Sequence, residues 1–159
     1  MRRTREIIGL PVLGMQSGLR IGWVQDVVYD EKTNEVTGVL LENHLFQAAK
    51  GIPRTEINAI CKDALTVKKE EPLAILGTHI SQKIGNRVYS QDGDARGTIQ
   101  DVYLDDEGRQ VVAFEVSDGL LADLLQGRGM ILRQHVMADG KDQLIVDASV
   151  CPWENGEGG

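Results

Sequence analysis

Short apolar runs that alternate with polar residues, cut by glycine and by charged turns, fill most of the chain. In "VQDVVYD" (24–30) Val24, Asp26, Val28 and Asp30 fall on one face, and Gln25, Val27 and Tyr29 on the other. That period of two is the signature of a strand. The polar turn "DEKTNE" leads from it into "VTGVLLE", and "DDEGRQ" leads from a similar strand into "VVAFEV". Each is a hairpin signal, two β-rich runs joined by a short polar stretch. "DALTV" and "DQLIV" are two further strands. One stretch departs from the period: "GLLADLLQG" (119–127) has leucines at 120, 121, 124 and 125, the spacing of one helical face.

The same order of elements occurs twice. A shift of 75 superposes Gly18 on Gly93, Gly22 on Gly97, Gln25-Asp26-Val27 on Gln100-Asp101-Val102, Asp30 on Asp105 and Val36 on Val111. Upstream a shift of 76 pairs Ile8-Gly9 with Ile84-Gly85 and Val12 with Val88. Downstream a shift of 79 pairs Ile52 with Ile131, Arg54 with Arg133 and Val67 with Val146. The indels fall between matched blocks, where loops tolerate them. A duplicated unit of five or six short strands follows. Short strands with polar flanks protect their edges by closing into a barrel. The expected fold is therefore all-β: two tandem small antiparallel β-barrels with short helical insertions. The expected boundaries are 1–72 and 73–150, with a flexible tail at 151–159. In the connection "KKEEPLAIL" (68–76), charges and a proline suggest an exposed start, and the apolar "LAIL" suggests that the rest packs down.

Composition narrows the class. With 42% apolar and 26% charged residues the chain suits a globular fold, and aromatics at 4% make its core aliphatic. No run of about 18 apolar residues exists, so no membrane span is expected. The N-terminal apolar stretch is broken by Gly9, Pro11 and Gly14 and lacks a small-residue cleavage site, so a cytoplasmic location is expected. Cys61 and Cys151 lack C-x-x-C spacing and read as reduced thiols, Cys151 being the more exposed. Residues 1–72 carry no net charge, and the whole excess of −7 lies in 73–159. Phosphate backbones would be repelled there, so direct nucleic-acid binding is not expected.

The order Gly9, Val12, Gly18, Gly22, Asp26, Asp30, Ile52-Pro53, Leu65-Thr66-Val67 resembles the PRC-barrel, named for the H subunit of the photosynthetic reaction centre. It recurs as Gly85, Val88, Gly93, Gly97, Asp101, Asp105, Ile131 and Leu144-Ile145-Val146. The likeness is greatest to small tandem PRC-barrel proteins of endospore-forming bacteria, and the same barrel forms part of a ribosome-maturation factor. The resemblance implies a barrel of about six strands and a binding or scaffolding role tied to ribosome maturation or sporulation-type processes, with no catalytic residues to carry over. The membrane helix of the reaction-centre subunit and the extra N-terminal domain of the ribosome factor have no counterpart here.

No chemistry-bearing constellation stands out. Asp26 and Asp101 could be site carboxylates, but their equivalent places beside glycine turns favour a loop-fixing role. "DGDARG" (92–97) opens like a calcium loop. Its fifth and twelfth positions, however, are Arg96 and Tyr103 where oxygen ligands are needed. His44, His79 and His135 lack ligand spacing, and neither cysteine has a neighbouring base. An enzyme is not expected, nor a cofactor or a metal.

The Leu-rich insertion, present in one copy only, is the most individual feature. Leu120, Leu121, Leu124, Leu125 and Met130 form a candidate interaction patch for another protein or, in a homodimer, for a second copy. Capping its own barrel is the other use of such a stripe, and "HLFQAAKG" (44–51) is a shorter counterpart. The expected function is a non-enzymatic protein-interaction or scaffold module. The alternative is a small-ligand or metal-binding protein with its site between the barrels.

Overall fold

A computed structural model describes residues 1–42, 49–118 and 129–149. The described residues are all-β, with helical structure limited to three-residue 3-10 turns. The strands are β1 (Arg2–Arg3), β2 (Pro11–Gly14), β3 (Arg20–Tyr29), β4 (Val36–Glu42), β5 (Gly51–Pro53), β6 (Ile57–Ile60), β7 (Leu65–Val67), β8 (Thr78–His79), β9 (Arg87–Ser90), β10 (Ala95–Leu104), β11 (Val111–Ser117), β12 (Gly129–Leu132), β13 (Val136–Asp139) and β14 (Gln143–Val146). The chain divides into two compact units, Met1–Ser81 with Leu104–Val111, and Gln82–Tyr103 with Val112–Gly159.

In the first sheet the order is β5-β4-β3-β2-β7-β6, with β8 also paired to β3. The second repeats it as β12-β11-β10-β9-β14-β13. Equivalent ladders keep equivalent registers: Val39 faces Ile52 as Phe114 faces Ile131, and Ile60 faces Leu65 as Asp139 faces Leu144. Turn glycines match too. Gly9 and Gly85 have φ of 90° and 88°, and Gly18 and Gly93 have 70° and 90°, a region only glycine enters freely. One ladder in each sheet is parallel, β2 with β7 and β14 with β9, so the sheets are mixed. Local alternation signals strands without telling their direction, and these partners lie far apart in the chain.

The repeated phrase forms the long strand of each sheet. In β3 the register slips between Val24 and Asp26, a bulge at Gln25 that breaks the alternation. Beyond it Asp26, Val27, Val28 and Tyr29 are all buried rather than facing two ways. This strand end carries a neighbour on each side, β4 at one edge and β8 at the other. The core, mostly aliphatic, includes Val12, Val24, Val39, Ile52 and Leu65 in the first unit and Val88, Ile99, Phe114, Ile131 and Leu144 in the second.

The "LAIL" connection is tied to the edge of the first sheet by its backbone, but its side chains do not pack down as expected: Leu73, Ala74 and Leu76 are exposed and only Ile75 is half-buried. Leu73 and Gly51 exchange backbone hydrogen bonds of 2.8 and 2.7 Å, and Thr37 Oγ1 donates to Leu76 O at 2.7 Å. Two glycines allow the close β4–β5 pairing and the approach of Ile75 to it. A Cβ on Gly51 would lie 1.9 Å from Val39 O and 3.0 Å from Ile75 Cγ1, and one on Gly38 would lie 2.4 Å from Ile52 O. By register their equivalents in the second sheet are Met130 and Ala113. Gly51→Ala is therefore expected to lower stability by about 1–3 kcal/mol, the cost of overpacking. A thermal melt checks it, and an unchanged midpoint would show that the β4–β5 edge yields freely.

Candidate functional site

Four places stand out, three of them with groups that the fold gathers from distant parts of the sequence. At the bulge, Asp26 is buried and its Oδ1 accepts from the Val27 N–H at 2.8 Å. The same carboxylate takes the Ser81 N–H at 3.2 Å and the Ser81 hydroxyl, and His79 Nδ1 lies 3.9 Å away. These are the ingredients of a nucleophile triad in another order. An activating imidazole sits between hydroxyl and carboxylate, whereas here the carboxylate itself receives the hydroxyl proton donor. The arrangement ties the bulge to the 3-10 turn Ile80–Gln82. Asp101 does the corresponding work in β10, accepting from the Val102 N–H at 2.7 Å. Asp30 and Asp105 fix their hairpin tips in the same manner, through backbone N–H bonds from Lys32 and Arg109.

Lys83 is a group that sequence patterning missed. It is 1% exposed, its Nζ lying 3.0 Å from Asp139 Oδ1 and donating to Gly140 O at 2.8 Å. The equivalent pair in the first unit is apolar. Leu10 N–H bonds Ile7 O as Asn86 N–H bonds Lys83 O, so Ile7 stands in the place of Lys83. Ile60 stands in the place of Asp139. The two copies thus differ at this pair of positions, isoleucines in the first and a buried ion pair in the second. A lysine at a periodic core position was the available signal, but its partner lies 56 residues on.

On the first unit, a groove of about 440 Å³ runs between Arg54–Ile60 and the β10–β11 turn Asp106–Arg109, with Lys68 at its rim. Glu107 Oε2 pairs with Arg109 Nε at 3.0 Å. Asp106 meets the α-amino group of Met1 at 2.6 Å, and that hydrogen bond holds its carboxyl below the usual range. The fourth place is an exposed aromatic on β3, between β2 and β4. Trp23, 36% exposed, carries the Arg20 guanidinium 4.2 Å from its ring centroid. It pairs with Glu42, where the connection to β5 departs.

Of the expected interaction patch, Met130 is half-buried on β12 opposite Glu115. Leu120, Leu121, Leu124 and Leu125 lie outside the described residues, as do His44 and Cys151. Cys61 is a free, exposed thiol. Among the described residues no group of three His, Cys, Asp or Glu side chains could hold a metal ion. No helix among them is long and apolar enough to cross a membrane.

Comparison with known proteins adds two findings. The family model of the PRC-barrel domain matches residues 1–70 and again 79–150. The uncharacterized protein YrrD of Bacillus subtilis (strain 168) is 25% identical over 154 residues, covering 92% of this chain and 88% of its own.

Proposed function

Because the chain belongs to the PRC-barrel family, we propose that it works as a non-enzymatic interaction or scaffold module whose partner is another protein. One observation carries the reading. The β4–β5 and β11–β12 connections occupy the same place in two sheets of matched register. The second connection is nevertheless longer and holds Leu120, Leu121, Leu124 and Leu125. An apolar addition to one copy of a duplicated unit serves something the other copy lacks, and a docking surface is the direct use. The exposed Trp23–Arg20 pair lends support, since Trp and Arg are enriched where binding energy concentrates. A free, exposed thiol at Cys61 suits a reducing compartment, and the proposal places the protein in the cytoplasm.

The reading is tested at position 124. A photo-cross-linking side chain there is expected to give a discrete adduct in native cells, either with a partner or with a second copy. Leu124→Asp should abolish that association while the far-UV circular dichroism stays unchanged. Association that survives Leu124→Asp in a folded protein rejects the patch.

A further inference from the structure

The groove on the first unit has the features of a small-molecule site, and its charge says which kind. Its volume falls within the range of roughly 300–1,000 Å³ typical of small-molecule pockets. Three cations line it, Arg54, Lys68 and Arg109, against two carboxylates, Asp106 and Glu107. Both carboxylates have cationic partners, Asp106 the Met1 amine and Glu107 the Arg109 guanidinium. Among the described residues Arg54 and Lys68 have no carboxylate within 4.0 Å. A chain of net charge −7 thus keeps a local positive field in one concave place.

The walls are fixed before any ligand arrives. The β10–β11 turn is pinned by Val36 N–H to Arg109 O and by Val111 N–H to Asn34 O, both 2.8 Å. Arg109 N–H bonds Asp105 Oδ1 at 2.6 Å. Gly108, at φ 70°, lets the turn close down: a Cβ there would lie 2.7 Å from Ile60 Cδ1. Ile57, Ala59 and Ile60 supply apolar surface between the polar groups. A planar guanidinium and an ammonium suit an oxyanion, the first by its fork and the second as a point charge.

We propose that this groove binds a small organic anion, its phosphate or carboxylate head held by Arg54 and Lys68 and its carbon skeleton lying on Ile57, Ala59 and Ile60. The test is a ¹⁵N NMR titration of the full chain with inorganic phosphate in one arm and acetate in the other, each against sodium chloride of matched ionic strength. Saturable shifts confined to residues 54–60, 68 and 106–109 are expected in at least one arm, and the arm that saturates at the lower concentration identifies the head group. Arg54→Gln should weaken that binding at least tenfold, and Lys68→Gln several-fold. Lys62→Gln, an exposed lysine outside the groove, should leave it unchanged. If neither salt exceeds chloride, or if the shifts spread over all lysines and arginines alike, the site does not exist. Each variant's own amide spectrum shows whether it is folded, so a loss of binding cannot be mistaken for unfolding.

Discussion

Lys83→Met is expected to cost about 3–5 kcal/mol of folding stability, whereas Lys83→Ile together with Asp139→Ile should leave the protein near its original stability or above it. The single change strips the ammonium from a pair in which both side chains are almost wholly buried, 1% and 3% exposed, and leaves the interior Asp139 carboxylate without the Lys83 charge. The double change removes both desolvation penalties and substitutes aliphatic packing. The first unit carries isoleucine at both equivalent positions, Ile7 buried and Ile60 half-buried. Urea unfolding of the two variants and the parent measures the difference. A double variant as unstable as the single would mean that the pair contributes more than an apolar contact does. A single variant within about 1 kcal/mol of the parent would mean that Asp139 finds water once Lys83 is gone.

Asp26→Ala should be the most damaging change in the repeated phrase, with an expected loss of about 2–4 kcal/mol. The methyl group leaves the Val27 and Ser81 N–H groups without their acceptor, and the Ser81 hydroxyl must find another. Unsatisfied buried donors cost about 1–3 kcal/mol each, which sets the scale. Asp26→Asn keeps one acceptor oxygen, and Ser81 can turn its hydroxyl to accept from the new amide, so its loss should be less than half as large. Ser81→Ala, which keeps its backbone N–H bond, should cost about 1 kcal/mol. Denaturation midpoints of the three variants give the ranking. Equal losses for alanine and asparagine would make the negative charge, rather than the acceptor oxygens, the stabilising feature.

The echo of "GWVQDVVYD" in "GTIQDVYLD" points to a shared structural role for its carboxylates, and Asp26 and Asp101 each accept the backbone N–H of the following valine. What the echo did not reveal was the bulge, because strict alternation placed Val27 and Tyr29 on the face opposite Val24 and Val28. Both are buried. The sheet has a further strand at that edge, β8, drawn from the beginning of the second repeat. Residues 104–111 likewise belong to the first compact unit although they lie in the second repeat. A repeat found by sliding the sequence along itself gives the boundaries of duplication, and the chain then folds without respecting them.

Strands, hairpin tips, turn glycines and the duplication itself were determined by the sequence alone, because each depends on side-chain period or backbone freedom within a few neighbouring residues. The family follows from that order of elements appearing twice. Tertiary structure alone decided the parallel β2–β7 and β9–β14 ladders, the burial of Lys83 against Asp139, and the groove that joins Arg54 and Lys68 to Arg109. In sequence Lys83 is one more charged residue, and Arg54 and Arg109 stand 55 positions apart. Pairings of this kind cost chain entropy that only a cooperative fold can offset, so no local pattern announces them.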